Sequence, residues 1–344
     1  MSDSIKGVDV EPVTRWFEAN VAGAQGPLTF ELIAGGHSNL TYSVTDAAGH
    51  HFVLRRPPLG QVLATAHDMT REHTIISALG PTDVPVAPAL GLCVDESVNG
   101  APFYVMDFVD GRVLRDAAAA TSISEAARRQ ASHSVADTLA RIHAVDPDQV
   151  GLGDLGKKED YLARQLKRWY GQWEKSKTRE LPLVDQLHDE LLAKVPEQGP
   201  ATIVHGDYRL DNCMTDDDGN VIAVLDWEIC TLGDPLADVG LLMVYWTEAD
   251  DAMPMLLTAP TAQDGFLSRA EVLDRYGDAS GRDLSQIDYY TAFGYWKLAC
   301  IVEGVYARYV GGSMGSNDPS AFEGFKIQVD RCAASAAEAL GRLR

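Results

Sequence analysis

The chain has 344 residues, 46% of them hydrophobic, and carries 29 basic against 50 acidic side chains, a net charge of −21. That length suits two cores better than one small one, and the hydrophobic share excludes a disordered chain. So negative a field disfavours nucleic acid and anionic membrane surfaces as partners, and the longest apolar run, Val239 to Trp246, is far short of the roughly 20 residues of a membrane span.

The first residues, MSDSIKGVDVEP, lack the basic and apolar regions of a signal peptide. Five cysteines (Cys93, Cys213, Cys230, Cys300, Cys332) show neither a C-x-x-C pair nor zinc spacing, which fits a reduced, cytoplasmic protein with buried thiols. Residues 11–25 predict a short amphipathic helix carrying Val13, Trp16 and Phe17. A strand over Thr29 to Ile33, a turn at Ala34-Gly35-Gly36-His37-Ser38, and an alternating strand through Leu40, Tyr42 and Val44 follow. His51 to Arg55 is a third strand, with Arg55 and Arg56 on opposite faces. Pro57-Pro58-Leu59-Gly60 breaks it, and a helix over Ala66 to Leu79 stops at Gly80-Pro81 with Glu72 at its middle. Asn99-Gly100, between apolar runs Leu90 to Val94 and Phe103 to Phe108, is a hairpin signal.

From Asp116 the composition turns helical. Ser122 and Glu125 have capping-box spacing, and Val135, Leu139 and Ile142 form one stripe ending at His143, read as a packed residue. Tyr161 to Glu174 repeats Leu162, Leu166, Trp169 and Trp173 at helical spacing. Further helices are expected over Asp234 to Trp246, Gln286 to Tyr309 and Ser320 to Leu340, with a loop at Gly311 to Asp318.

The sharpest segment is Thr202 to Gly240. A β-branched run, Thr202-Ile203-Val204, leads into His205-Gly206-Asp207, and Asn212 stands five residues after Asp207. Cys213 to Thr215 reads as a short strand, Asp218-Gly219-Asn220 as a turn, and Val221 to Leu225 as a buried strand that delivers Asp226. Asp207 and Asn212 match the kinase catalytic loop H-R-D-x-x-x-x-N, and Asp226 stands where the D-F-G aspartate falls. The pattern His205-Gly206-Asp207, Asn212, Asp226-Trp227 resembles the aminoglycoside phosphotransferase-like branch of the protein-kinase-like fold. The continuation Leu232-Gly233-Asp234-Pro235-Leu236-Ala237-Asp238 is most similar to the subgroup containing the kinase-like domain fused to acyl-CoA dehydrogenases.

The resemblance implies an α+β, bilobal protein-kinase-like fold. Residues 1–108 would form a small N-lobe, an antiparallel sheet plus one helix, and residues 109–344 a larger, mainly helical C-lobe with catalytic loop 205–212 and Asp226. It implies ATP and Mg²⁺ as cofactors, Asp207 as the residue that accepts or orients the acceptor proton, and Asn212 and Asp226 as metal ligands. Arg55 would hold the donor phosphates in place of the commoner lysine, braced by Glu72. The Gly35-Gly36 turn, through Ser38, would cover the phosphates, and Asp107 and Val109, in the hinge Met106 to Gly111, would meet adenine through the main chain. Asp234 and Asp238 are expected to cap and pin the helix after them, and His205 to brace the loop. Arg209 either meets an anionic substrate group or pairs with an acidic neighbour.

The implied activity is ATP-dependent transfer of the γ-phosphoryl group to a small-molecule hydroxyl, on a hydroxyacyl compound or another small alcohol. An aminoglycoside-type enzyme acting on a cationic amino sugar and a non-catalytic nucleotide-binding pseudokinase are the alternatives. The acidic balance favours a cationic acceptor and the subgroup an acyl one; the subgroup weighs more, since bulk charge says little about one pocket. A divalent-metal hydrolase using His205, Asp207 and Asp226 is disfavoured, because no histidine cluster of metal-binding type is present. The oligomeric state is left open.

Overall fold

The computed structural model describes residues 5–34, 39–60, 67–251, 259–311 and 322–343. The turn at 35–38 and most of the 311–318 loop expected from the sequence lie outside the described residues. The chain divides into two compact units, residues 1–111 with 222–229, and residues 112–221 with 230–344. The segment bearing Asp226 thus packs with the N-terminal unit, although the sequence division assigns it to 109–344.

The first unit contains α1 (Val10–Asn20), β1 (Thr29–Ala34), β2 (Leu40–Thr45), β3 (His51–Arg56), α2 (Met69–Leu79), β4 (Ala89–Cys93), α3 (Glu96–Asn99) and β5 (Phe103–Asp107). The strands form one antiparallel sheet in the order β1-β2-β3-β5-β4. Strand periodicity sorts β3 onto two faces. Phe52 and Leu54 join Val13 and Phe17 of α1, Tyr42, Val44, Phe103 and Val105 in an apolar core. Arg56 is on that face too and is 6% exposed; it donates to the carbonyls of Gly7 and, at 3.1 Å, Asn99. Arg55 leaves the other face towards α2. Gly91 in β4 is required by packing, because a Cβ there would come within 2.9 Å of the Trp16 ring.

The Asn99-Gly100 pair does not make a two-residue hairpin turn. Asp95 caps the single-turn helix α3 by accepting from Ser97 N at 2.9 Å, and Gly100 ends it at φ +68°. The glycine signal was real, but it marks a helix C-terminus. Strands β4 and β5 still pair, Cys93 opposite Phe103.

In the second unit β6 (Arg112–Val113) precedes α4 (Ala117–Thr121), α5 (Glu125–Ala144), α6 (Tyr161–Ser176) and α7 (Pro182–Ala193). After β7 (Thr202–Val204) and β8 (Cys213–Thr215), β9 (Val221–Val224) carries the chain into the first unit; β10 (Thr231–Gly233) brings it back. The last helices are α8 (Leu236–Tyr245), α9 (Arg269–Ser280), α10 (Ile287–Val310) and α11 (Glu323–Arg342). Helix α5 is capped by Ser124, which accepts from Ala127 N at 3.1 Å. Ser122 instead ends α4, donating to the carbonyl of Ala119 at 2.7 Å, so the capping box expected at Ser122/Glu125 does not form.

Helix α10 is the centre of this unit. Its Tyr289, Phe293, Trp296 and Ala299 are buried among Leu162, Leu166 and Trp173 of α6, Leu187 of α7, Val244 of α8 and Cys332 and Ala333 of α11. Helices α8 and α10 cross where both present glycine: a Cβ on Gly240 would lie 2.4 Å from the Tyr290 carbonyl, and one on Gly294 2.9 Å from Val244. All five cysteines are buried and none is in a disulfide, and among the described residues no helix is long and apolar enough to cross a membrane.

Candidate active site

In the second unit, β7 pairs antiparallel with β10, Val204 opposite Thr231, and hands the chain to His205-Gly206-Asp207. Gly206 has φ +86°, a left-handed conformation that glycine adopts without strain. The turn is fastened from behind by Asp238, in the first turn of α8. Its carboxylate accepts from the backbone N–H of His205 at 2.6 Å and of Gly206 at 2.8 Å. Burial works against the Asp238 charge, but the hydrogen bonds it receives hold its pKa below the usual carboxylate range. Asp238 therefore pins the loop before it more than the helix it begins. Asp234 accepts from Leu236 N at 3.1 Å and from the Tyr290 hydroxyl at 2.7 Å, which does anchor the helix start.

His205 is wholly buried and its Nδ1 accepts from Asp207 N at 3.3 Å, a brace within the loop. Behind it His143 joins Asp238 at 3.4 Å and the Tyr276 hydroxyl at 2.8 Å, and burial lowers the His143 pKa. The Asp207 side chain is 28% exposed. Asn212, closing a single 3₁₀ turn over Leu210–Asn212, donates to the Asp207 carbonyl at 2.8 Å and to its carboxylate at 3.1 Å. With its amide nitrogen committed, Asn212 has its side-chain oxygen left to offer a cation. Arg209 lies 3.3 Å from Asp207 and 3.1 Å from Asp211, with its guanidinium 5.1 Å from the centre of the Tyr245 ring. Of the two readings of Arg209, the acidic-neighbour pairing is the one formed.

The first unit carries a second cluster. Glu72 of α2 is 1% exposed and lies 2.8 Å from Arg55 Nε, an ion pair without hydrogen-bond alignment. It also accepts from Tyr104 at 3.0 Å and from Asn39 at 2.7 Å. Burial pushes the Glu72 carboxyl up to about 7, against the pull of Arg55 and Tyr104. Arg55 reaches on to Asp226 at 2.6 Å. Burial disfavours its charge, yet Tyr104, Glu72 and Asp226 around it leave the guanidinium more basic than usual.

Asp226 has φ +63°, strained for a residue with a Cβ. Its neighbours supply the restraint: Trp227 is 3% exposed and donates to the Val224 carbonyl at 3.0 Å, and Val224 N donates to Pro85 O at 2.8 Å. Glu228 lies 3.3 Å from Asn39 and 4.0 Å from Arg55. Sequence reasoning missed Glu228 and Asn39; their signal was position, two residues past Asp226 and directly after the glycine turn.

Asp107 is exposed, its carboxylate accepting from Phe108 N at 3.0 Å and its N–H donating to Pro88 O at 2.9 Å. Val109 is half-buried. Ser38 lies outside the described residues. Among the described residues, one acidic trio is close enough to share a cation, Glu248, Asp250 and Asp251. It contains no histidine, and Arg269 pairs with Glu248 at 2.8 Å and Asp251 at 2.5 Å.

Residues 29–290 match the sequence profile of the phosphotransferase enzyme family. The chain belongs to that family. It is 34% identical to mouse acyl-CoA dehydrogenase family member 10 over 296 residues, covering 85% of this chain and 27% of that protein. It is 36% identical over 299 residues to mouse acyl-CoA dehydrogenase family member 11, covering 85% and 38%. The chain thus spans well under half the length of these curated relatives. Among solved structures, a Ralstonia eutropha protein provisionally named an aminoglycoside phosphotransferase superposes with a TM-score of 0.80 at 34% identity, covering 96% of this chain and 98% of that one. A thermostable variant of aminoglycoside phosphotransferase APH(4)-Ia, in complex with AMP-PNP and hygromycin B, gives a TM-score of 0.62 at 18% identity, over 94% and 99% of the two chains. The fold is the protein-kinase-like α+β fold of these phosphotransferases: an antiparallel sheet in the N-terminal part and helices in the C-terminal part.

Proposed function

We propose that this phosphotransferase is an ATP-dependent small-molecule kinase whose acceptor is the hydroxyl group of an acyl compound. One observation carries the reading: Asn212 holds Asp207 through its backbone and its carboxylate, Arg209 stands 3.3 Å from that carboxylate, and Asp238 fastens the loop. Such a carboxylate is fixed yet reachable, as a group that takes a proton from an entering hydroxyl must be. The acceptor oxygen bonds to the γ-phosphorus as the bridging bond to the β-phosphate breaks; its proton passes to Asp207, and ADP leaves with the electron pair. Arg55 grips the donor phosphates, held ready by Glu72. The Asp107 carbonyl and the Val109 backbone take the base.

The donor set suits magnesium, a hard cation that prefers oxygen: an amide oxygen from Asn212 and a carboxylate from Asp226. The ion, when bound, neutralises phosphate charge. The acyl character of the acceptor rests on the relatives, which are named acyl-CoA dehydrogenases. The complex of APH(4)-Ia with AMP-PNP supports nucleotide use.

The test is ADP release from Mg-ATP across three acceptor classes: hydroxyacyl thioesters, amino sugars and simple amino alcohols. Turnover confined to hydroxyacyl compounds, and lost by at least about 10²-fold in Asp207→Asn, is the expected result. Turnover on amino sugars alone would move the protein to the aminoglycoside class. Nucleotide binding without turnover on any acceptor would make it a pseudokinase.

A further inference from the structure

Lys297 sits in the middle of α10 between the buried residues Trp296 and Leu298, and is itself 8% exposed. Its ammonium donates to the carbonyl of Gly206 at 3.1 Å, one residue before Asp207. On its other side the ammonium stands 5.6 Å from the centre of the Trp169 ring, on α6. A buried ammonium is costly, and an apolar side chain of the same length would fill this position between Trp296 and Leu298 at lower cost. The groups that offset the cost here are the Gly206 carbonyl, the Trp169 face and the attraction of Asp207 and Asp238; burial draws the lysine's pKa down and the two carboxylates draw it up. Every one of them except Trp169 belongs to the catalytic loop or to the residue that fastens it.

The loop is therefore held by opposite charges on successive peptides. Asp238 takes the N–H groups of His205 and Gly206, and Lys297 takes the carbonyl of Gly206, which is the near end of the peptide that carries Asp207. Gly206, at φ +86°, has no side chain of its own to fix this peptide, so its orientation rests on partners at its two ends: Lys297 at the carbonyl and, at 3.3 Å, His205 Nδ1 at the Asp207 N–H.

We infer that Lys297 is a positioning residue for Asp207, fixing the Gly206–Asp207 peptide so that the carboxylate meets the acceptor hydroxyl in line. The inference rests on the kinase reading of Asp207. A misplacement of about 1 Å at a reacting group can cost 10²-fold in rate, and that scale is expected here.

The experiment compares Lys297→Met, which keeps length and removes charge, with Lys297→Arg, which keeps a donor. Lys297→Met is expected to lower kcat about 10- to 100-fold, with KM for Mg-ATP and calorimetric ATP affinity within twofold of the parent. Lys297→Arg should recover part of the loss. In an Asp207→Asn background the Lys297→Met change should have no further effect on kcat, because it acts through Asp207. Hydrogen exchange of the 203–212 segment, which needs no turnover, should quicken in Lys297→Met. Should Lys297→Met not fold, the comparison is made with Lys297→Gln. A folded variant with parental kcat overturns the proposal, as does a loss that repeats in full on Asp207→Asn. Parental protein inactive on every acceptor defeats the kinase reading instead, and unchanged exchange in the loop would then defeat the positioning claim separately.

Discussion

Asn212 donates from one amide nitrogen to both the backbone carbonyl and the carboxylate of Asp207, at 2.8 and 3.1 Å. The same side chain thus locks the Asp207 rotamer and turns its own oxygen to a separate task. Asn212→Asp keeps an oxygen ligand but sets a like charge beside Asp207 and removes the donor. We expect kcat to fall by about 10²-fold while Mg-ATP affinity stays within a few-fold of the parent. Asn212→Ala should lose both. Calorimetry with and without Mg²⁺, beside steady-state kinetics, checks the split; equal ATP affinity with and without the ion in the parent would remove the metal assignment.

Arg55 needs a gentler substitution than alanine. Arg55→Ala leaves the buried Glu72 unpaired, and breaking a buried pair costs roughly 3–5 kcal/mol unless the survivor is neutralised. Arg55→Lys keeps the charge without the planar fork. It should weaken Mg-ATP about tenfold, or about 1.4 kcal/mol, and leave adenosine affinity unchanged. Arg55→Ala/Glu72→Gln should regain stability over Arg55→Ala without regaining ATP affinity. Titration of ATP and adenosine against the three variants, with urea denaturation alongside, decides this.

Arg56 is no neutral control for that series. It is buried and bonded to the carbonyls of Gly7, Pro57 and Asn99. Arg56→Ala should lower stability by roughly 1–3 kcal/mol and leave the ATP affinity of the folded protein unaltered. A stable Arg56→Ala protein that binds ATP poorly would contradict the assignment of phosphate contact to Arg55.

His143 gives the helical unit a pH dependence. Unfolded, it takes a proton near pH 6.5; folded, burial lowers its pKa. Below about pH 6.5 the unfolded state therefore binds more protons, and stability falls as pH drops through that window, by at most about 1.4 kcal/mol per pH unit for this one group. The lowered pKa of Asp238 adds a loss only further down, as pH falls through the carboxylate range. His143→Gln should flatten the slope between about pH 6.5 and 5, as read by denaturant midpoints; an unchanged slope would show that another group titrates.

Two glycines in helices should respond oppositely to alanine. Gly240→Ala drives a methyl group to 2.4 Å from the Tyr290 carbonyl, which is backbone and yields little, so a loss of about 1–3 kcal/mol is expected. Gly171, inside α6, has no atom within 4 Å of a built Cβ, and Gly171→Ala should add about 0.5–1 kcal/mol. Thermal melts of the two variants are the measurement.

What could be read in advance was local. The Asp207–Asn212 spacing, the strand that delivers Asp226 and the helical stripes all lie within single stretches, where chemistry and periodicity are written in order. Asp238 and Lys297 were not legible as parts of the site. Asp238 looks like a first-turn helix residue, and Lys297 stands 91 positions from Gly206, so only tertiary packing brings its ammonium there. The capping box went astray for a smaller reason: Ser122 and Ser124 both precede Glu125 closely, and which serine caps depends on where α4 ends. Asn99-Gly100 misled because the same left-handed glycine serves a hairpin and a helix end.

The glycine crossing of α8 and α10 gives the loop its stiffness. Asp238 stands two residues before Gly240, and Lys297 three after Gly294, so the anion and the cation that grip Gly206 are mounted on either side of a close crossing of the two backbones. A displacement of either helix is handed directly to the other, and the two grips travel together. Two further helices reach the same joint, α5 at the anion through His143 and α6 at the cation through Trp169, so a change on either is felt where Gly206 is gripped.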